Sequence, residues 1–253
     1  MTQSTGLEKK DRLAAFMGSF KLSAVVVASA REARGPCLQL CGVPGTPGHR
    51  IVLRMSGGNP PPPDLCVTVA IDFDNATNPL MAAIPDEVTV LLEHAHALRL
   101  TAGAFWQEVG GERCGRAAAL DRLAEVMVLM VLRQVIEQGA SQPGLFAALA
   151  HPSLHRAVVS MHDEPARPWS IDQLADSAAM SRTQFMATFR RVVGMTPMAY
   201  LGAWRLILAR RHLEAGLSVK AAARRVGFNS VEGFSRSFSR SFGYPPVMAK
   251  QAG

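Results

Sequence analysis

An internal repeat towards the C-terminus constrains the fold of this 253-residue chain more than any other feature. Residues from Ser170 onward recur from Ser218 onward, first at an offset of 48 and then, from Ser181, at a constant offset of 49. The chain therefore contains two copies of one small unit, with one extra residue in the turn of the second copy. The equivalent pairs are Ser170 and Ser218, Ser181 and Ser230, Phe185 and Phe234, Phe189 and Phe238, Gly194 and Gly243, and Pro197 and Pro246.

Each copy predicts a helix, a short turn and a second helix. In the first copy, Ser170 with Gln173 and Ser181 with Gln184 form two capping-box signatures only eleven residues apart, a spacing typical of a helix-turn-helix. The second helix of each copy places apolar residues on one face and polar residues on the other. The predicted core faces are Phe185, Phe189, Val192 and Val193 in the first copy, and Val231, Phe234, Phe238 and Phe242 in the second.

A single buried helix is predicted between the two copies, from Thr196 to Gly216. Thr196 is a favourable N-cap, Pro197 suits the first helical position, and Gly216 suits a left-handed helix end. Apolar residues lie all round its 3.6-residue period, so we expect it to pack on more than one side. A helix of about 19 residues is roughly 28 Å long. That length is close to the ~34 Å of one DNA turn.

Positive charge is concentrated in the same region. Residues 180–253 contain 12 Lys and Arg residues but only two acidic residues, Glu214 and Glu232, a net charge of +10. Residues 1–150 carry a net charge of −1, and the formal net charge of the whole chain is +7. This asymmetry indicates a surface that meets phosphate groups, and it favours nucleic acid as the partner.

These residues resemble a known family. The stretch Ser181–Tyr200 (SRTQFMATFRRVVGMTPMAY), the RLxxA run at Arg205–Ala209 and the stretch Val226–Pro246 (VGFNSVEGFSRSFSRSFGYPP) are similar to the DNA-binding domain of the AraC/XylS family of bacterial transcription regulators. The resemblance covers about residues 150–248 and includes both motifs in order. It implies a sequence-specific regulator that binds double-stranded DNA at an operator or promoter and reads two successive major-groove segments with each chain.

The outward faces of the two second helices supply the candidate DNA contacts. Side chains in the first turns of such helices reach base edges, whereas Arg190 and Arg240 lie a turn or two later and are expected to bind all sequences alike. The base-reading candidates are Arg182, Thr183, Met186, Glu232, Ser235 and Arg236. The phosphate-binding candidates are Ser181, Arg190, Arg191, Ser230 and Arg240.

The first 140 residues predict a separate domain. Phe20–Ala28, Ile51–Met55 and Cys66–Phe73 are rich in Val, Leu and Ile and are separated by Gly and Pro, which favours a mainly antiparallel sheet or partial barrel. Four stretches are similar to the cupin-type sensor domain of one branch of the family: Asp11-Arg12-Leu13, Phe20–Val27, Asn78-Pro79-Leu80 followed by Ile84-Pro85, and Cys114–Arg133. Between Ala28 and Asp64, however, the chain is markedly shorter than such domains and lacks a recognisable set of barrel strands. We therefore expect an α+β chain. Residues 1–140 form a shortened cupin-like sensor and dimerisation domain, and residues 141–253 form an all-α domain of two helix-turn-helix motifs joined by a long helix.

Arg116–Gln138 is the second strongly predicted helix. Its segment Leu123–Leu132 is apolar except for Glu125, so one domain face cannot bury all of its side chains. Any part left uncovered would be an exposed apolar patch prone to association. Either the sheet covers one side and a second chain covers the other, or the helix is fully internal. The resemblance favours a homodimer through this helix. The candidate contact residues are Leu123, Met127, Met130 and Val131.

The sequence predicts neither an enzyme nor a cofactor site. It has no phosphate-cradling glycine loop and no Gly-x-Ser-x-Gly elbow. The patterns Cys37-x3-Cys41 and His94-Ala95-His96 lack the further ligands that complete a metal site. The competing interpretation is a small-molecule or metal-binding cupin protein, either a sensor or an enzyme, whose basic domain only tethers it to DNA. Metal analysis of the purified protein separates the two interpretations, because the regulator needs no metal.

Location and further partners follow from similar observations. Met1–Arg12 is polar and charged, and the apolar runs are too short to span a bilayer, so we expect a cytoplasmic protein without membrane contact. The resemblance adds two candidate partners, a small-molecule effector and RNA polymerase, and transcription activation as a candidate outcome.

Overall fold

The computed structural model describes residues 11–29, 32–56, 60–74, 78–138 and 142–251. The strands, in chain order, are β1 (Ser23–Val27), β2 (Cys37–Cys41), β3 (Arg50–Arg54), β4 (Leu65–Asp72) and β5 (Glu87–Leu91). The α-helices are α1 (Ala14–Ser19), α2 (Pro79–Ala83), α3 (His96–Val109), α4 (Arg116–Gln138), α5 (Leu145–Ala150), α6 (Leu154–Asp163), α7 (Ile171–Ser177), α8 (Arg182–Val193), α9 (Pro197–Glu214), α10 (Val219–Arg225) and α11 (Val231–Phe242). A 3-10 helix spans Pro246–Gln251.

The chain forms two compact units, and the predicted α+β fold class is confirmed. The sheet unit comprises residues 20–140, and the helical unit comprises residues 141–253 together with the segment up to Ser19. In the sheet unit, five strands pair antiparallel in the order β1-β4-β2-β3-β5, with β1 and β5 at the edges. Among the described residues, neither β1 nor β5 pairs with a further strand along its outer edge. α4 contacts β1 and β5 and packs against α3.

β2 is a strand that the sequence did not predict, although it lies at the centre of the sheet. All five of its residues are buried. Alternate residues of a strand share a face, so Cys37 and Cys41 point to the same side. Burial raises the pKa of the Cys37 thiol, and it raises the pKa of the Cys41 thiol to about 11. Both thiols therefore stay protonated at neutral pH, and strand alternation explains their spacing better than a reactive or metal-binding pair.

α4 spans the predicted range, but two of the four predicted dimer contacts are core residues. Met127 and Val131 have no exposed surface within the single chain, so these two assignments are corrected. Leu123 and Met130 are half-buried, and Thr101 of α3 donates its hydroxyl hydrogen to the Met130 sulfur at 3.5 Å. Val126, which was not among the candidates, is 42% exposed.

α9 is the central helix of the helical unit. Thr196 caps it by accepting the Ala199 N–H at 3.3 Å, and Pro197 is its first residue, as the sequence predicts. It contacts α6, α8, α10, α11 and the 3-10 helix, which agrees with an apolar pattern that runs all round the helix. Its buried residues are Pro197, Leu201, Trp204, Leu206, Leu208, Ala209 and Leu213.

α1 belongs to the helical unit, although the sheet unit follows it in the sequence. Phe16 is fully buried, with its ring centroid 4.8 Å from that of His162 on α6 and 5.1 Å from that of Trp204 on α9. Residues 11–19, which the sequence assigned with the rest of residues 1–140, therefore pack with the C-terminal residues. The physical reason is that Phe16 is buried against α6 and α9.

His162 lies in the same aromatic cluster. Its Nε2 atom is 2.7 Å from the Tyr200 hydroxyl, and its ring centroid is 4.5 Å from that of Trp204. Its Nδ1 atom is buried and has no hydrogen-bond partner among the residues described. Protonation of the ring would therefore bury a charge whose second N–H lacks an acceptor, and burial lowers the pKa of His162 to about 3.

In the part of the chain that the structure describes, no single helix is long and apolar enough to cross a membrane. α8 and α9 reach that length and composition only as a pair, which is bent by 54°.

Candidate nucleic-acid interface

α8 is held by a cap at each end and by an aromatic face. The Ser181 hydroxyl accepts the Gln184 N–H at 3.3 Å, and the helix ends at Gly194 in a left-handed conformation. Phe185 and Phe189 are fully buried, with ring centroids 5.5 Å apart. These contacts fix which side of the helix faces outward. The predicted contact residues on that side are all exposed or half-buried: Ser181, Arg182, Thr183, Met186, Arg190 and Arg191.

α11 repeats this arrangement. The Ser230 hydroxyl accepts the Gly233 N–H at 3.1 Å, and the helix ends at Gly243 in a left-handed conformation. Phe234 and Phe238 are fully buried, again with centroids 5.5 Å apart. The predicted contact residues are exposed or half-buried here too: Ser230, Glu232, Ser235, Arg236 and Arg240.

Most of the candidate arginines on the outward faces of α8 and α11 have no acidic partner among the described residues. Ion pairs within the helical unit include those of Glu164 with Arg167, Asp172 with Arg182, and Glu214 with Arg210. Among the described residues, no ion pair neutralises the four remaining candidate arginines, which are Arg190, Arg191, Arg236 and Arg240. Exposed guanidinium groups without an acidic partner form a surface suited to phosphate oxygens and base edges.

Comparison with known proteins agrees with this geometry. A family model described as a helix-turn-helix domain matches residues 174–251, and a cupin model matches residues 21–137. A putative AraC-like transcription regulator of Streptomyces lividans is 36% identical over 155 residues, which cover 60% of this chain and 51% of that protein. The HTH-type transcriptional regulator AlkR of Acinetobacter baylyi is 32% identical over 215 residues, which cover 81% of this chain and 69% of that protein. The chain belongs to the AraC family of transcription regulators.

The resemblance predicted from the two motifs and from the N-terminal region is thus confirmed, and this AraC-family regulator is a DNA-binding protein. Among solved structures, the DNA-binding domain of AdpA in complex with a target DNA is 30% identical and matches 40% of this chain and 93% of that chain, with a TM-score of 0.39. The chain spans about half the length of the Streptomyces relative.

One predicted base reader of this AraC-family regulator already has an acidic partner. The Nη1 atom of Arg182 donates to both carboxylate oxygens of Asp172 on α7, at 3.0 and 2.8 Å. Both side chains are 63% exposed, and exposed pairs of this kind contribute only about 0–1 kcal/mol. DNA can therefore displace the carboxylate at small cost. Local sequence patterns do not predict this pair, because Asp172 lies ten residues before Arg182 on a different helix.

The predicted histidine pattern belongs to the sheet unit. His94 precedes α3, and the Nδ1 atom of His96, the first residue of α3, is 3.0 Å from Arg99 Nη2. Within the described ranges, no three His, Cys, Asp or Glu side chains gather as a metal site would require.

Proposed function

We propose that each chain of this regulator reads two successive major-groove segments of its operator, one with α8 and one with α11. The observation that carries the proposal is the repetition of one capped, aromatic-backed helix with an exposed polar face. Thr183 and Glu232 occupy equivalent positions of the repeat, as do Arg191 and Arg240. α9, which joins the two motifs, has 18 residues. It is thus about 27 Å long, which suits neighbouring grooves on one side of a duplex.

Arg236 and Arg240 test the division between base reading and phosphate binding. Both are exposed on α11 and unpaired among the described residues, so replacing either by Ala should leave the fold intact. We expect Arg236→Ala to cost about 1–3 kcal/mol on the operator and to relax specificity at a few positions. Arg240→Ala should weaken operator and random DNA alike and reduce the salt dependence of binding by about one phosphate contact.

The measurement is a salt titration of affinity, with the full chain and a duplex recovered from a random-sequence library by selection. The matched probe is a shuffled duplex of the same length. Equal losses on both duplexes for Arg236→Ala would remove it from the base readers. Binding that is insensitive to salt would contradict the phosphate-binding role of the surface as a whole.

We also propose that the chain forms a homodimer through the outer face of α4. Support comes from Leu123, Val126 and Met130, which lie three and four residues apart and keep part of their apolar surface exposed. Leu100 of the neighbouring α3 is 61% exposed and enlarges the apolar surface of this helix pair. A two-fold dimer would cover the α4 face and bring four helix-turn-helix motifs to one operator.

Val126→Glu tests the dimer better than a charge at Met127, which would disrupt the core. We expect a folded monomer, because Val126 is 42% exposed and its side chain can carry a charge into water. The control is Val25→Glu, the same substitution on β1 at a residue that is 51% exposed. Sedimentation at micromolar concentration should show a dimer for the wild type and for Val25→Glu. A wild-type monomer, or a dimer that survives Val126→Glu, would contradict the proposal.

We propose a regulatory rather than an enzymatic role for the whole chain. This proposal is supported by the relatives, which are named as transcription regulators. The sheet unit, which matches the cupin model, is the expected place for a small-molecule effector. RNA polymerase is the expected partner at a promoter, with activation as the outcome where the chain recruits it, and the cytoplasm is the expected location.

A further inference from the structure

A short loop leads into the first motif and is internally braced. The loop Glu164–Trp169, called the bridging loop below, ends immediately before Ser170, the N-cap of α7. The indole N–H of Trp169 donates to the Glu164 carbonyl at 3.0 Å, and the guanidinium carbon of Arg167 lies 4.1 Å from the Trp169 ring centroid. Trp169 is only 7% exposed. The loop is therefore built as a fixed element.

Arg205 ties the bridging loop to α9. Its Nε–H donates to the Pro165 carbonyl at 2.6 Å, and its Nη2 donates to the Arg167 carbonyl at 2.8 Å. Charged donors form the stronger class of hydrogen bonds, and two bonds from one planar group fix an orientation as well as a distance. The Arg of the RLxxA run thus binds the bridging loop. Its two hydrogen bonds give it a structural role that requires no contact with DNA.

Gly227 brings the second motif against the same loop. It lies in the turn between α10 and α11, with a φ of +88°. A Cβ atom on Gly227 would lie 2.7 Å from the Cα atom of Ala166 and 2.7 Å from its carbonyl oxygen. Both atoms are backbone, so relief would require movement of the loop or of the turn.

The first motif shows that the turn itself does not require glycine. Ala179 is the equivalent of Gly227, at an offset of 48, and it holds a φ of +53°. The next residues make the same hydrogen bond, from Met180 N–H to the Ala175 carbonyl and from Phe228 N–H to the Ala223 carbonyl, both at 3.0 Å. An alanine is thus accepted in the first turn. The close approach of Ala166 is what distinguishes the second.

We propose that the bridging loop sets the separation of the two recognition helices, with Arg205 and Gly227 as its positioning residues. The loop is continuous with α7 of the first motif, is bonded to α9 between the motifs, and contacts the turn that precedes α11 of the second. Neither residue needs to touch DNA for this role. Together they determine which spacing of two DNA segments one chain accepts. This inference rests on the proposed reading of two segments per chain.

The test compares affinity for four duplexes derived from the selected operator: both segments at the selected spacing, both segments with one base pair inserted, and each segment alone. Two linked modules gain ~10²-fold or more over one when their spacing fits. For Gly227→Ala and Arg205→Ala, we expect the affinity for the duplex with the selected spacing to fall about tenfold, because part of the gain from linking the two motifs is lost. The affinity of each variant for a single segment should stay within about twofold of the wild-type value. Its preference for the selected spacing over the spacing with one inserted base pair should become smaller.

Gly216→Ala is the matched control for Gly227→Ala. Gly216 has a φ of +91° in the turn before α10, but a Cβ atom there would meet nothing within 4 Å. Gly216→Ala introduces the same strain of a positive φ but no contact with a neighbouring backbone, so we expect this variant to keep the preference for the selected spacing. Arg205→Lys should restore part of the preference that Arg205→Ala loses, because an ammonium group can still donate to one of the two carbonyls.

The outcomes separate this inference from the proposal on which it rests. If the wild type binds the selected and inserted duplexes equally well, the reading of two segments by one chain fails. If the wild type discriminates between them and both Gly227→Ala and Arg205→Ala discriminate as strongly, the role of the bridging loop fails. Equal losses on single-segment and two-segment duplexes would also overturn it, because they would indicate general damage to the helical unit.

Discussion

Phe16→Ala is expected to destabilise the helical unit by about 3–5 kcal/mol, the usual cost of removing a fully buried phenylalanine side chain. Phe16 has no exposed surface, and its ring meets those of His162 and Trp204 edge-on. The substitution would leave a cavity between α1, α6 and α9. The substitution would thus weaken the DNA-binding unit, although Phe16 lies more than 120 residues before residue 142, where the described C-terminal part of that unit begins.

Urea unfolding followed by tryptophan fluorescence measures this effect. The chain has three Trp residues. A Trp106→Phe background removes the one in the sheet unit and leaves Trp169 and Trp204 to report on the helical unit. The matched control is Phe105→Ala in α3, which is also fully buried but belongs to the sheet unit.

We expect the Trp169 and Trp204 signals to unfold at lower urea concentration in Phe16→Ala and at an unchanged concentration in Phe105→Ala. An unchanged midpoint in Phe16→Ala would show that α1 adds nothing to the stability of the helical unit. The contact also implies that a fragment starting at residue 150 lacks part of its own core. DNA-binding measurements are therefore best made on the full chain.

The helix-turn-helix region is the part that the sequence predicts well, because local signals agree there. Ser170 and Gln173 form both bonds of the predicted capping box, and Thr196 caps α9 as expected. Gly194 and Gly243 both end their helices in the left-handed conformation. Capping and hydrophobic period act within a few residues of the chain, so they can be read without knowledge of the tertiary fold.

Contacts between distant segments were not predictable in the same way. α1 has six residues, too few for a periodic signal, and its packing depends on residues more than 140 positions away. α4 is apolar on nearly every side, so its pattern could not show that Met127 faces the core while Val126 stays exposed. The ion pair of Arg182 with Asp172 and the approach of the bridging loop to Gly227 are likewise tertiary features, which local sequence patterns do not encode.

β2 illustrates a different limit. Its five residues, Cys37–Cys41, are buried throughout. A strand that is covered on both sides loses the alternation of polar and apolar residues that identifies a half-buried strand. Its two cysteines drew attention to a possible chemical role, although the same spacing is what strand geometry produces for two residues on one face.

Acid is expected to destabilise the helical unit through His162. Burial lowers the pKa of this residue to about 3, against about 6.5 for a histidine in the unfolded chain. The unfolded state therefore binds a proton more readily than the folded state between these values. The stabilising contribution of the neutral ring is fully present above pH 6.5 and is lost as the pH falls towards 3. The loss amounts to about 1.4 kcal/mol per pH unit, or about 2 kcal/mol between pH 6.5 and 5.

His162→Gln should flatten this dependence, because glutamine fills a similar volume, can bond to the Tyr200 hydroxyl and does not titrate. The readout is the slope of the free energy of unfolding against pH from 7.5 to 5, measured with Trp169 and Trp204 in the Trp106→Phe background. Burial also lowers the pKa values of His151, His155 and His212, so both proteins should lose some stability in acid. The difference between the two slopes therefore isolates His162, whatever the substitution costs at pH 7.5. Parallel curves would show that the ring titrates equally in the folded and unfolded states, and that the aromatic cluster around Phe16 and Trp204 does not hold it neutral.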